Sequence, residues 1–152
     1  MRLAALLAAA GLEVRSVVDW PGDDSGGPDV LRVGHDSRRT AAGDLFCCIP
    51  GEVHDGHRFA AEAVSAGAVA LLVERSIAGA PSADDVPVVR VPSVRRVMGP
   101  LAAAVHGWPS RSIDLVGVTG TNGKTSVVHL LRSVLEASGR RAESWGTLSG
   151  ER

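Results

Sequence analysis

The sequence has almost no net charge and no long hydrophobic run, and each shortage excludes a class of protein. Its 152 residues include 16 basic and 17 acidic side chains, a formal charge of -1 without a long run of either sign. This balance gives no electrostatic footprint for nucleic acid or for an anionic membrane. The longest apolar stretch, residues 3–12, has about half the length of a helix that spans a bilayer. We therefore expect no nucleic-acid partner and no membrane partner.

Cysteine is also scarce. The two cysteines, Cys47 and Cys48, are neighbours inside an apolar run. A disulfide between adjacent residues requires strained geometry, and the spacing of metal ligands is absent. The sequence therefore predicts two reduced strand residues in a cytoplasmic protein.

The amino terminus allows two interpretations. Met1 and Arg2, followed by an alanine- and leucine-rich stretch, resemble a short secretory signal. The alternative is a buried first helix that ends at Gly11. The phosphate-binding motif described below favours the helix, because ATP-dependent chemistry belongs in the cytoplasm.

The segment that follows predicts a small α/β domain. After a turn-rich stretch at residues 21–28, apolar runs predict four strands, and a helix between the second and third begins after Asp55 and ends at Gly67. The strands are expected at residues 30–33, 44–49, 68–73 and 86–91. A further helix at 93–106 leads into a Gly-Trp-Pro-Ser turn, where we place the domain boundary. The first domain is thus residues 1–108, and the second is residues 109–152.

The second domain begins with a pattern typical of phosphate-binding proteins. The run 113–119 is almost continuously apolar, as in a parallel strand that is covered on both faces. A glycine-bearing turn and a helical pattern up to Gly139 follow, and residues 141–146 predict another strand. A strand, a glycine-rich turn and a helix direct several backbone N–H groups and the positive end of the helix toward one polyphosphate. The prediction is the first βαβ portion of a P-loop ATP-binding domain.

One lysine stands in this turn, and it is the only lysine in the chain; the other 15 basic residues are arginines. Lys124 would contact the β- and γ-phosphates, where a compact ammonium fits better than a guanidinium, and the Thr125 hydroxyl would bind Mg²⁺. The strict ATP-loop signature requires glycine where Val118 stands, which leaves an ordinary glycine-bearing turn as the alternative. The predicted ATP-binding residues are Gly120, Thr121, Asn122, Gly123, Lys124, Thr125 and Ser126.

Three motifs occur together along the chain. The first is Asp36-Ser37-Arg38 with Gly-Asp-Leu-Phe at 43–46, and the second is Gly-x-x-x-Asp-Gly-His-x-Phe at 51–59 with Gly-Ala-Val-Ala at 67–70. The third is Gly-Val-Thr-Gly-Thr-Asn-Gly-Lys-Thr at 117–125. In combination they resemble the amino-terminal part of the Mur ligase family, most closely its MurE type. The third motif is this family's own form of the phosphate loop, which removes the discrepancy at Val118.

The resemblance implies an ATP-dependent ligase of peptidoglycan synthesis, and thus a role in cell wall formation, cell shape and cell division. Such a ligase adds the third amino acid to UDP-N-acetylmuramoyl-L-Ala-D-Glu through an acyl phosphate, with ATP and Mg²⁺, and Lys124 would be catalytic. It also implies a sugar-nucleotide site in the first domain and the start of the dipeptide site at Thr147. The implied substrate-binding residues are His35, Asp36, Ser37, Arg38, Glu52, Val53, His54, Asp55 and Thr147.

The residues taken without the family indicate less. Asp36-Ser37-Arg38 is most often a capped turn, and the segment with His54, Asp55 and His57 is expected to lie in solvent. A complete ligase of this family is much longer, so we expect a fragment without catalysis of its own and with incomplete order beyond Trp108. The alternatives are a non-catalytic UDP-sugar-binding module, a MurF-type fragment and a different P-loop phosphotransferase.

Overall fold

The structure, a computed structural model, describes residues 1–12, 26–51, 54–77 and 86–146. The chain divides into two units, Met1–Ser112 and Ile113–Arg152, called here the first and the second unit. Within the described ranges, every helix is too short or too polar to cross a bilayer.

The first unit contains a parallel four-stranded sheet. Its strands follow the chain order β1-β2-β3-β4, and all three neighbouring pairs are parallel. The strands are β1 (Arg32–Gly34), β2 (Asp44–Cys47), β3 (Ala70–Val73) and β4 (Val88–Arg90). All four predicted strands are confirmed, although each is shorter than predicted. Since parallel strands all end at the same edge, the loops that follow them collect along one side of the sheet.

Among the described residues of the first unit, three helices accompany this sheet; two short 3-10 helices lie in its loops and a third follows the last helix. The helices are α1 (Leu3–Ala9), α2 (Ala60–Ser65) and α3 (Val94–Val105), and the 3-10 helices are Ser37–Arg39, Gly56–Phe59 and Pro109–Arg111. The helix α2 ends where glycine was predicted to end it, because Gly67 has a φ of +105° that other residues rarely adopt. The first helix is confirmed as a buried element, with Leu3, Leu6 and Leu7 inaccessible to solvent.

The sheet is covered on both faces. Leu45 and Cys47 of β2 belong to an apolar cluster that includes buried residues of α1 and α3, such as Leu6 and Leu101. The alternate residue Phe46 packs in a second cluster with α2. Successive residues of a strand point to opposite faces, so a strand buried on both sides reads as a continuous apolar run. The first unit is a three-layer α/β fold.

The second unit is built around one long helix, α4 (Lys124–Ala137). The two strands predicted beside it, at 113–119 and 141–146, are not formed, and both segments have irregular backbone. A parallel strand depends on neighbouring strands and on cover over both faces. Residues 113–146 form no strand pair, and Leu115 and Val116 are 71% and 66% exposed. The prediction of two strands is therefore wrong for these residues, because a parallel strand requires neighbouring strands and none lies within residues 113–146.

Candidate functional site

The glycine-bearing turn of the second unit leads directly into α4. Gly123 is the N-cap of this helix and has a φ of +75°, the left-handed conformation that glycine adopts without strain. The Val127 N–H donates to the Gly123 carbonyl at 3.0 Å, which is the first hydrogen bond of the helix. The N–H groups of residues 124–126 precede that bond and have no helical carbonyl to accept them. This end of α4 therefore presents several free donors together with the positive end of the helix dipole.

The single lysine lies against the same turn. Lys124 Nζ donates to the Gly120 carbonyl at 2.5 Å, and the Thr121 carbonyl is 3.5 Å away. The ammonium group is thus held beside the turn rather than extended into solvent. Thr121, Asn122, Thr125 and Ser126 are all exposed. The seven residues predicted to bind ATP are brought together as one surface of turn, ammonium and helix end.

The donor set of this turn fits a polyphosphate with its metal ion. Main-chain N–H groups at a helix start and an adjacent ammonium are the groups that bind phosphate oxygens in many nucleotide-binding proteins. No heavy atom lies within 4 Å of the position that a Cβ at Gly123 would occupy, so the turn is open on that side. The Thr125 hydroxyl, in the first turn of α4, is of the type that binds Mg²⁺ beside such phosphates.

The Asp36-Ser37-Arg38 segment and the His54-Asp55 segment lie at the edge where the strands end, whereas residues 43–46 and 67–70 of the same motifs lie at strand starts. The segment with Asp36, Ser37 and Arg38 follows β1. His54 and Asp55 lie in the loop that follows β2, the neighbouring strand. His35, Arg38 and His54 are exposed, whereas Asp36, Ser37 and Asp55 are half-buried. In parallel α/β sheets this edge is where ligands bind.

The Asp36 segment forms the capped turn that the residues alone predicted. Asp36 accepts hydrogen bonds from the Arg38 backbone N–H at 3.1 Å and from two guanidinium nitrogens of Arg38, at 2.9 and 2.8 Å. The side-chain hydrogen bond is the main reason that the pKa of Asp36 lies below its ordinary value. The arrangement keeps the Asp36 carboxylate charged and holds the cation of Arg38 beside it.

An ion pair between a buried carboxylate and a half-exposed guanidinium supports this turn from the sheet. Asp44, the first residue of β2, is 3% exposed and accepts from Arg32 Nε at 3.0 Å and Arg32 Nη2 at 2.6 Å. The same carboxylate accepts from the Ala41 N–H at 3.0 Å, and Arg32 Nη2 also donates to the Arg39 carbonyl at 2.6 Å. The pair therefore ties both ends of the 39–41 segment to the sheet. Asp44 was predicted only as the first residue of a strand, and its pairing with Arg32 was not predicted.

A second polar network follows β2. Asp55 caps the 3-10 helix Gly56–Phe59: its Oδ1 accepts from the His57 N–H at 3.0 Å and lies 2.6 Å from His57 Nδ1. The Glu74 N–H donates to His57 Nε2 at 3.2 Å, and Arg75 Nη2 donates to the second oxygen of Asp55. The side-chain hydrogen bond from His57, the largest of several contributions, lowers the pKa of Asp55 to about 2.

The network corrects one prediction about the first unit. His57 was expected in solvent, yet it is 3% exposed, because it fills the space between the loop after β2 and the end of β3.

Within the described residues, no cluster of His, Cys, Asp or Glu is arranged to hold a metal ion. Cys47 and Cys48 are buried free thiols, as predicted, and burial raises the pKa of Cys48 to about 12.

Three predicted substrate-binding residues, Glu52, Val53 and Thr147, lie outside the described residues. The other predicted residues form two groups. One group lies at the strand-end edge of the first unit and the other at the start of α4 in the second unit.

Comparison with protein families gives two matches that together cover most of the chain. The Mur ligase family, catalytic domain, matches residues 30–106, which is just over half of the chain. The Mur ligase middle domain matches residues 118–151. The first match contains both polar networks of the strand-end edge, and the second contains the turn before α4 and the helix itself.

The names of curated relatives specify one type of ligase within this family. The UDP-N-acetylmuramoyl-L-alanyl-D-glutamate–2,6-diaminopimelate ligase of Geobacillus thermodenitrificans is 44% identical over 123 residues, which cover 81% of this chain and 24% of that protein. The ligase of the same name from Gloeobacter violaceus is 40% identical over 137 residues, covering 90% of this chain and 26% of that protein. The chain thus spans about a quarter of the length of these MurE-type relatives.

Solved structures show the same fold. MurF from Acinetobacter baumannii superposes with a TM-score of 0.63 and 28% identity over 88% of this chain and 27% of that one. MurF from Thermotoga maritima, solved in complex with ADP, has a TM-score of 0.54 and 27% identity over 71% of this chain and 24% of that one. With family matches on both units and curated relatives over most of its length, the chain belongs to the Mur ligase family.

Proposed function

We propose that the chain is the sugar-nucleotide-binding and ATP-binding part of a MurE-type ligase of peptidoglycan synthesis. In this proposal residues 1–108 bind UDP-N-acetylmuramoyl-L-Ala-D-Glu, and residues 109–152 begin the domain that binds ATP with Mg²⁺. The reaction joins a third amino acid to the dipeptide and takes place in the cytoplasm, where ATP is available. A role in cell shape and cell division follows from the same activity.

The observation that carries the proposal is the start of α4. Its free N–H groups and the Lys124 ammonium, 2.5 Å from the Gly120 carbonyl, form a donor surface suited to phosphates. A related MurF structure was solved with ADP, which supports a nucleotide as the ligand of this surface. Curated relatives with 36–44% identity to the chain carry the name of the diaminopimelate-adding, MurE-type ligase. The MurE assignment is therefore preferred to a MurF fragment.

The chemistry explains why the loop is required. A carboxylate resists attack by an amine because it is anionic and a poor electrophile. Transfer of the γ-phosphoryl group of ATP to the carboxylate of the dipeptide gives an acyl phosphate and ADP. The amine of the incoming amino acid then displaces phosphate, and an amide forms.

The chain's own residues contribute binding and charge neutralisation to these steps. Lys124 and the N–H groups at the start of α4 hold the phosphates in place and offset the negative charge that spreads over the transferred group. The Mg²⁺ ion, when bound near Thr125, supplies further charge neutralisation between the phosphates. Positioning and electrostatics account for most of the catalysis of phosphoryl transfer, so Lys124 is the residue to which we assign a catalytic role.

In the first unit, the sugar nucleotide is assigned to the strand-end edge. The loops after β1 and β2 contribute the polar groups of His35, Ser37 and His54 there, and the networks of Asp36 and Asp55 fix the backbone beneath them. Arg38 supplies a cation beside the uridine diphosphate. Glu52, Val53 and Thr147 complete the proposed substrate-binding set.

Two separate calorimetric titrations test the proposal, one with UDP-N-acetylmuramoyl-L-Ala-D-Glu and one with Mg²⁺-ATP. The account expects both to bind to the unmodified chain, and Lys124→Ala to abolish only the ATP signal. Lys124→Arg is the matched variant, which keeps the charge and is expected to bind ATP weakly, since a planar guanidinium does not replace the compact ammonium. Sugar-nucleotide binding without ATP binding would indicate a non-catalytic module, and ATP binding alone would indicate another phosphotransferase.

A further inference from the structure

His57 is a buried side chain whose two ring nitrogens both have partners in the backbone or in a carboxylate. Its ring is 3% exposed and lies between the loop after β2 and the end of β3. Nδ1 is 2.6 Å from Asp55 Oδ1, and Nε2 is 3.2 Å from the Glu74 nitrogen. Among the described residues, Asp44 is the other buried polar side chain, and it belongs to the separate pair with Arg32.

These partners define which nitrogen carries the proton. The Glu74 N–H can only donate, so Nε2 must accept and carries no proton. Nδ1 then carries the proton and donates it to the ionised carboxylate of Asp55. The ring thus accepts a hydrogen bond from the backbone on one side and donates to a carboxylate on the other.

The connections continue on either side of the ring. Asp55 also accepts from Arg75, the second residue after β3. The Glu74 carboxylate accepts from the Val94 N–H at 2.8 Å, and so caps the start of α3. A single set of hydrogen bonds therefore joins the loop after β2, the end of β3 and the first turn of α3.

The described backbone segments of this loop approach one another closely. A Cβ at Gly51 would lie 2.4 Å from the His54 carbonyl oxygen, and one at Gly56 would lie 2.7 Å from the Ile49 nitrogen. The backbone of this loop folds closely onto itself and onto the end of β2. His57 is the buried side chain that connects this loop to the end of β3, in addition to the more exposed ion pair of Asp55 with Arg75.

We propose that His57 is a positioning residue for the sugar-nucleotide site. By joining Asp55 to the Glu74 backbone, it holds the His54–Asp55 segment in place at the strand-end edge of the sheet, to which the ligand is assigned. The inference rests on the proposed function, because it assigns the sugar nucleotide to this edge. His57 itself is buried and does not contact the ligand; it acts through the loop that it fixes.

Substitutions that each keep half of the ring's hydrogen bonding test this role. His57→Asn places an amide N–H near the position of Nδ1, so it retains the bond to Asp55 and loses the bond to Glu74. His57→Gln places an amide oxygen near the position of Nε2, so it retains the opposite bond. His57→Ala removes both. His106→Ala is the matched control, since His106 is exposed and follows α3 at its carboxyl end.

The measurement is the dissociation constant of UDP-N-acetylmuramoyl-L-Ala-D-Glu and, in parallel, that of Mg²⁺-ATP. If the loop must be in one arrangement to bind the sugar nucleotide, each lost hydrogen bond lowers the fraction of molecules in that arrangement. The apparent dissociation constant of the sugar nucleotide is then expected to rise by about fivefold for His57→Asn and His57→Gln, and by more than about tenfold for His57→Ala. ATP affinity is expected to stay unchanged in all variants. Because the two proposed sites lie in different units, the melting temperature of the first unit is measured for each variant, and only variants that are folded at the temperature of the titration are compared.

The possible negative outcomes contradict different statements. If His57→Ala folds and binds the sugar nucleotide as tightly as the unmodified chain, the positioning role is wrong and the proposed function stands. If His57→Ala does not fold, unchanged affinity in the Asn and Gln variants overturns the role equally. If the unmodified chain does not bind the sugar nucleotide, the proposed function fails and this inference fails with it.

Discussion

Replacement of Gly56 by alanine is expected to destabilise the first unit through one steric conflict. The added Cβ would lie 2.7 Å from the Ile49 nitrogen and 2.8 Å from the Ile49 oxygen, whereas ordinary contacts of a methyl carbon begin at 3.4 Å. The Gly56 N–H donates to that same Ile49 oxygen at 2.9 Å. The two backbone segments would have to separate by roughly 0.7 Å, which also weakens this hydrogen bond.

The size of the effect follows from these two terms. Overpacking of this kind costs about 1–3 kcal/mol, and the weakened backbone hydrogen bond adds about 1 kcal/mol. The free energy of unfolding should therefore fall by about 2–4 kcal/mol. For a unit of 112 residues, Met1–Ser112, this corresponds to a decrease in Tm of about 8–16 °C. Urea denaturation followed by far-ultraviolet circular dichroism measures the change.

Gly99 provides the matched control for Gly56. It lies inside α3, and a Cβ there would meet no atom within 4 Å beyond its own helix. Gly99→Ala should stabilise the unit by about 1 kcal/mol, because alanine is the better helix former. Ordinary surface substitutions change the free energy of unfolding by no more than about 0.5 kcal/mol. If the free energy of unfolding of Gly56→Ala stays within that range of the unmodified chain, the loop does not approach Ile49 as closely as described.

Three further predictions concern charge, thiols and order. The pKa of Asp55 is about 2 in the folded state, against an ordinary 3.8, so its contribution to stability is present above pH 3.8 and is lost as the pH falls through 2. Asp55→Asn should therefore reduce the dependence of Tm on pH in this window, whereas replacement of the exposed Asp114 by Asn should not. Cys47 and Cys48 should resist a thiol reagent in the native state and react in urea, since burial raises the pKa of both thiols; rapid native labelling would contradict their burial. Limited trypsin digestion should cleave residues 113–146 before the first unit, because none of residues 113–146 is fully buried. Equal resistance of the two units to trypsin would contradict this prediction.

Much of the first unit could be predicted because its signals are local. Short apolar runs predicted four strands, and Gly67 predicted the end of α2 through its left-handed backbone. The capped turn at Asp36 was also predicted, since its hydrogen bonds reach only as far as Arg38. In each case the residues that determine the structure are close together in the sequence.

The features that were missed depend on residues from separate elements. Asp44 is buried because Arg32, on the adjacent strand, neutralises it. An acidic residue at the start of an otherwise apolar strand was the available signal. His57 is buried because the Glu74 backbone reaches it from 17 residues away, and no pattern around His57 indicates that contact.

In the second unit, an apolar pattern in the sequence was not sufficient to predict the backbone conformation. The run at 113–119 has the composition of a buried parallel strand, yet the strand does not form in this segment. Apolar composition indicates which residues would be buried, whereas strand conformation depends on neighbouring strands to pair with. The helix α4 formed as predicted, because its hydrogen bonds are all internal.

The most direct test of the account is a titration of the ¹⁵N-labelled chain with Mg²⁺-ADP, followed by the backbone amide resonances. The account predicts that the resonances of residues 120–126 shift together with one dissociation constant, and that Lys124→Ala removes the shifts while the rest of the spectrum is preserved. Amide resonances at the start of α4 that stay in place, or shifts confined to the first unit, would contradict the assignment of the nucleotide to this helix end.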